Sequence, residues 1–139
     1  MATDTTRELD RPRDDAATER TPDELALFAA TARRRREARM ARWAERRRRG
    51  WVVARAAAAL LRAEYGAERV VVFGSLLHPE WFGERSDVDL AVWGLPGDRY
   101  FRAVAAVNDI EGAFGVDLVE PAQCRPGLRA AIESEGVEL

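Results

Sequence analysis

Apolar residues fall on one side of a helical repeat in two early stretches of the chain. Leu25, Leu27, Phe28 and Ala32, then Met40 and Trp43, form a thin stripe among Arg and Ala. Arg and Ala are both strong helix formers, so the stripe reads as one side of a helix that docks weakly or binds a partner. Thr21-Pro22-Asp23-Glu24 ahead of it has the form of a capping box with Pro at the first helical position, which predicts a helix from Thr21 to Arg49. Gly50 is expected to end or bend that helix. Trp51 to Tyr65 predicts a second one, with Val52, Val53, Ala56, Leu60 and Leu61 at helical spacing and Gly66 as its C-terminal cap.

The pattern then changes period. Val70 to Phe73 is a short run of β-branched and aromatic residues, as in a strand buried on both faces. Leu76 to Arg85, with Pro79 and Gly83, is too short for a crossover helix, so the next strand, Asp87 to Trp93, is expected to run antiparallel beside the first. After the turn Gly94-Leu95-Pro96-Gly97, the spacing of Phe101, Val104, Val107 and Ile110 predicts a helix over Arg99 to Phe114. Val116 to Val119 reads as a third strand and Gly127 to Glu135 as a last short helix. The fold class is therefore α/β, a small mixed sheet packed with helices behind an Arg-rich N-terminal helix.

Composition sharpens this in three places. Met1 to Arg20 is rich in Thr, Asp, Arg and Ala, with Leu9 its only large apolar residue after Met1, and reads as a disordered tail. All 22 basic residues are Arg, which excludes a Walker A loop and Schiff-base lysine chemistry, and the single His78 excludes HExxH and Cys2His2 zinc sites. The lone Cys124 reads as a small half-buried apolar residue. No stretch has the character of a signal sequence or membrane span, so the expected compartment is the cytoplasm, with no membrane partner. The net charge of -2 conceals an asymmetry: Arg33 to Arg49 holds ten Arg against Glu37 and Glu45, a local +8 that leaves -10 elsewhere. That run is readable as a solvated face, a surface for an acidic partner or, the weakest of the three, an RNA contact.

The candidate chemistry lies in the acidic residues of the predicted strands. Residues two apart in a strand share a face, so Asp87 and Asp89 present two carboxylates side by side while Val88 and Leu90 turn to the core. Such a pair repels itself, and a divalent cation removes the conflict. Asp117, between Val116 and Leu118, reaches the same face if the second and third strands are neighbours, and three carboxylates suffice for two Mg²⁺ ions. Gly74-Ser75, just after the first strand, offers a close backbone approach and hydrogen-bond donors to a triphosphate, helped if a helical turn opens there. Trp81, Phe82 and Trp93 are available for base stacking or for packing, and Ser86 is placed to order the turn before Asp87.

Val-Val-Val-Phe-Gly-Ser, eleven residues, Asp-Val-Asp-Leu and then Val-Asp-Leu-Val together resemble the minimal nucleotidyltransferase (MNT) family of the DNA polymerase beta superfamily. The likeness covers about Trp51 to Leu139, including the closing Glu135-Gly136-Val137-Glu138-Leu139. It implies a polymerase-beta-like nucleotidyltransferase fold. It also implies that Asp87 and Asp89 bind both metals, that Asp117 completes the acceptor-side ion and helps deprotonate the hydroxyl, and that Gly74 and Ser75 hold the β/γ-phosphates of ATP. The chain departs from the family pattern in its longer spacing and in having Leu76-Leu77-His78 where a basic residue often follows the Ser, which makes His78 a candidate phosphate contact. Many MNT proteins pair with a HEPN-domain ribonuclease toxin, so the resemblance implies an antitoxin that adenylylates a tyrosine of such a partner. The alternatives are transfer to a small-molecule hydroxyl, which would require a homodimer to close the acceptor pocket, and a non-catalytic antitoxin acting by contact alone.

Overall fold

The computed structural model describes residues 19–139. The tail expected over Met1 to Arg20 falls outside them, except for its last two residues. The described residues divide into two compact units, one ending at Arg36 and the other comprising Glu37–Leu139.

One long helix, α1, runs Pro22–Tyr65. It begins as the capping box predicts: the Glu24 N–H donates to Thr21 Oγ1 at 3.2 Å, and the Thr21 N–H donates back to Glu24 Oε2 at 2.8 Å. In the first unit Leu25, Leu27 and Phe28 are exposed, and the Arg20 guanidinium lies 4.9 Å over the Phe28 ring.

The helix does not end at Gly50, contrary to the expectation of two helices. Gly50 is buried, and a Cβ there would come within 2.9 Å of Leu76 Cδ1 and 3.5 Å of Phe82 and Phe114. The glycine thus answers a need for close packing. A single Gly costs a helix about 1 kcal/mol relative to Ala, which the burial of Val53, Ala54, Ala57, Ala58 and Leu61 on the following turns readily offsets.

The second unit holds a four-stranded mixed sheet in the order β3-β2-β1-β4. β1 is Arg69–Phe73, β2 Val88–Trp93, β3 Val116–Val119 and β4 Val137–Glu138. β2 runs antiparallel to β1, as the short connection requires, and β3 runs parallel to β2. Between them, helix α2 spans Tyr100–Asn108, shorter than the Arg99–Phe114 expected. Its end is set by Asn108, whose side-chain amide donates to Val116 O at 2.9 Å and whose Oδ1 accepts from the Val116 N–H at 2.9 Å, imitating a neighbouring strand at the edge of β3. Helix α3, Pro126–Glu135, matches the last predicted helix to within a residue. β4 was not foreseen; it pairs antiparallel with β1, and its Glu138 is bonded to Arg69 Nε at 2.9 Å.

Alternation along the strands divides the sheet into two faces. Val70, Val72, Val88, Leu90, Val92, Val116 and Leu118 pack with Val53 to Leu61 of α1 and with Ala103 and Val107 of α2. Val71, Phe73 and Ala91 face the other way, against Ile132 of α3. Asp89 and Asp117 alternate with the first set and so share the α3 face. No helix among the described residues is long and apolar enough to cross a membrane.

Candidate active site

Three loops and two strand ends build the site. Phe73, the last residue of β1, pairs with Asp89 of β2, and Asp89 in turn lies in register with Asp117 of β3. The two carboxylate-bearing residues are therefore direct neighbours across a parallel ladder, the condition that the sequence pattern left open. Asp87 stands one residue ahead of β2, and its carboxylate lies against Gly115, where a Cβ would sit 3.0 Å from Oδ1. Asp87 and Asp117 are exposed, whereas Asp89 is half-buried between them.

Position decides the electrostatics. Burial pushes the Asp89 carboxyl up from 3.8 to about 6, and the negative charges of Asp117 and Asp87 push in the same direction. Asp89 thus feels both of the other carboxylates. As placed, though, no three His, Cys, Asp or Glu side chains among the described residues converge tightly enough to hold a metal ion.

Gly74 follows β1 with φ at +78°, in the left-handed region, and opens a 3-10 turn over Gly74–Leu77. Its missing side chain is required twice over. The backbone conformation favours glycine, and a Cβ would overlap Asp89 Oδ2 and lie 3.2 Å from Asp89 Cγ. Ser75, half-buried, is the second residue of that turn.

His78 closes the Gly74–Leu77 turn and faces two carboxylates. Its Nε2 lies 3.8 Å from Glu135 Oε2 at the end of α3, its Nδ1 lies 3.7 Å from Glu80 Oε1, and its ring lies 3.9 Å from that of Trp81 between centroids, tilted by 35°. Of the other aromatics, Phe82 is buried in the core, Trp93 is covered by the Arg69 guanidinium at 4.5 Å, and Trp81 is exposed. Ser86 does order its turn: Oγ accepts from the Gly83 N–H at 2.9 Å, and the Ser86 N–H donates to Gly83 O at 3.2 Å. Cys124 is half-buried, its Sγ 3.4 Å from Glu120 O.

Two arginines outside the predicted site brace it. Arg46 donates to Ser86 O and Ala113 O, each at 3.3 Å, and lies 4.1 Å over the Phe114 ring, so one guanidinium ties the segment entering Asp87 to the segment entering β3. Arg47 Nε donates to Leu76 O at 2.8 Å and holds the turn that carries Gly74 and Ser75. Helical phase was the available signal: Arg46 and Arg47 lie three to four residues before Gly50, on the stripe that continues through Ala54 and Ala57 into the core.

No protein-family model matches the chain, and no curated protein matches it. What stands is the class that the geometry defines: a mixed α/β unit with coupled carboxylates on one end of its parallel strand pair and a glycine turn beside them.

Proposed function

We propose that the protein is a metal-dependent nucleotidyltransferase that moves a nucleoside monophosphate, AMP from ATP, onto a hydroxyl, and that the hydroxyl belongs to a tyrosine of a partner HEPN toxin. One observation carries the reading. Asp89 and Asp117 stand in register on adjacent parallel strands, and Gly74 passes against the Asp89 carboxylate in a left-handed backbone conformation that favours glycine. The polymerase-beta-like fold and the antitoxin role rest on the resemblance of Val70-to-Ser75, Asp87-to-Leu90 and Val116-to-Val119 to the MNT family.

The donor set suits a divalent cation. The burial and like-charge repulsion that raise the Asp89 carboxyl are what a cation among Asp87, Asp89 and Asp117 would cancel. Mg²⁺ bound by these three carboxylates, as two ions, would neutralise triphosphate charge and acidify the acceptor hydroxyl. The chain's own groups do the rest. Backbone N–H groups at Gly74 and Ser75, with the Ser75 hydroxyl, orient the β/γ-phosphates, and Asp117 takes the proton of the hydroxyl as its oxygen bonds to the α-phosphorus and pyrophosphate departs.

The test is transfer itself. The protein is incubated with each labelled nucleoside triphosphate and Mg²⁺, with and without a HEPN-domain partner, and mass is followed on the partner. A nucleotide-sized gain that Asp87→Asn and Asp89→Asn variants abolish is the expected result. Transfer only to small hydroxyl compounds would reassign the acceptor, and retained partner binding with no transfer in any combination would refute the enzyme.

A further inference from the structure

A cavity of about 320 Å³ opens at the C-terminal end of β3, bounded by Gly97, Tyr100, Glu120 and Gln123. It lies at the low end of the size range of small-molecule sites. None of its four residues figures in the acid row, yet the sheet order relates the two. Reading across the strands, the Gly74-Ser75 turn follows β1, Asp89 is on β2, and Asp117 is on the edge strand β3, from which Glu120 continues. Asp117 stands near the start of β3 and Glu120 one residue past its end, so the cavity opens along the same edge strand as Asp117, toward its far end, and the Asp117 charge reaches the Tyr100 phenol.

The chemistry of the cavity is specific. The Tyr100 hydroxyl donates to Leu118 O at 2.7 Å, which fixes the ring as a wall. The Glu120 carboxylate, half-buried, has no hydrogen-bond or ion-pair partner among the described residues. Arg129, which reaches the segment just after Glu120, is committed to the carbonyls of Pro121 at 3.0 Å, Ala122 at 3.3 Å and Cys124 at 3.4 Å. The Tyr100 phenol is pushed up by burial first and then by Glu120, Asp117 and Cys124, with no cation pulling it down. An aromatic wall beside a free carboxylate in a field of one sign is the environment that binds an ammonium or a guanidinium.

We propose that this cavity is the acceptor subsite and that it takes a cationic side chain, Lys or Arg, lying close to the acceptor tyrosine on the partner protein. The word acceptor rests on the nucleotidyltransferase reading; the preference for a cation does not. The acid row and the cavity then divide the work, Asp117 meeting the hydroxyl while Glu120 and Tyr100 hold the neighbouring charge and so select which tyrosine is presented.

The test uses the full chain, ¹⁵N-labelled, and three blocked peptides that differ only in the residue beside one tyrosine: Arg, Gln or Glu. Tyramine serves as a probe for free amines. Amide shifts at Gly97 and Gln123 report occupancy. The Arg peptide is expected to bind about five-fold tighter than the Gln peptide, the effect of one half-exposed ion pair, and the Glu peptide not to bind. Glu120→Gln should erase the difference between the Arg and Gln peptides without weakening the Gln peptide. Equal shifts from all three peptides, or no loss of preference in Glu120→Gln, would overturn the cation subsite, and tyramine binding tighter than the Arg peptide would overturn a protein side chain as its occupant. Because these readouts need no turnover, cation-selective binding without nucleotide transfer refutes only the enzymatic reading, and transfer without charge preference refutes only the subsite.

Discussion

Gly74→Ala offers the sharpest probe of how the site is built. An alanine at φ of +78° carries the left-handed penalty of about 1–2 kcal/mol. Its Cβ would also overlap Asp89 Oδ2 and press on Cγ at 3.2 Å, so the carboxylate must move, at an overpacking cost of about 1–3 kcal/mol. The two costs are separable. In an Asp89→Ala background only the Asp89 Cβ remains, 3.4 Å from the new atom and in ordinary contact, so the steric part vanishes while the backbone part stays. Urea unfolding of wild type, both single variants and the double variant should therefore give about 2–5 kcal/mol for Gly74→Ala alone, about 1–2 kcal/mol in the Asp89→Ala background, and a coupling of about 1–3 kcal/mol. Costs equal in the two backgrounds within about 0.5 kcal/mol would refute the close approach of Gly74 to the carboxylate. A negligible cost in both would refute the left-handed turn as well.

Three further outcomes are expected. Because the Asp89 carboxyl is raised from 3.8 to about 6 in the folded protein, its protonated form favours folding; the contribution is full below about pH 3.8 and is lost as pH rises through about 6. With EDTA present, the melting temperature of Asp89→Asn should thus exceed that of wild type by a margin that grows between pH 4 and pH 7, and a flat or shrinking margin would contradict the shift. Arg46→Met keeps the apolar stem but loses the bonds to Ser86 O and Ala113 O, so it should cost about 2–4 kcal/mol in urea unfolding and speed hydrogen exchange at Val88 and Val116; unchanged exchange there would remove Arg46 as a brace. Gly50→Ala should fall within about 1 kcal/mol of wild type, helix propensity offsetting the push on Leu76, whereas Gly50→Leu should cost about 3 kcal/mol, and near-neutrality of both would indicate a helix end in place of a packed crossing.

What the sequence disclosed follows from how local each signal is. The strands around Val70, Leu90 and Leu118 were legible because a buried strand is a short apolar run bounded by turn residues, and the antiparallel turn of β2 followed from the length of the connection. A helical glycine at position 50 has a nonlocal cause: Leu76 and Phe82 arrive from the β1–β2 connection and Phe114 from the segment before β3. The same holds for α2, whose end is fixed by an Asn108 side chain that seeks a strand eight residues away. β4 has only two residues, too few for any period to register. Within the site, the pairing of Asp89 with Asp117 was legible up to one condition, strand adjacency, that no local pattern could supply.

Arg46 and Arg47 change what the arginine run means. Read as charge, Arg33 to Arg49 is a single basic surface with three competing uses. Read as structure, its last turns differ from the rest: Arg46 spans two loop carbonyls, Arg47 holds the glycine turn, and Arg49 pairs with Glu111, whereas Arg39 and Arg42 are exposed. A guanidinium is suited to the first of these tasks because its planar fork reaches two acceptors at fixed geometry, which an ammonium on a flexible stem does not. Neutralising the run as a block would therefore change the basic surface and release the segments bearing Gly74, Asp87 and Asp117 at once. A loss of activity in such a variant could not be assigned to partner or nucleic-acid binding. Only substitutions confined to exposed positions such as Arg39 and Arg42 separate recognition from the integrity of the site.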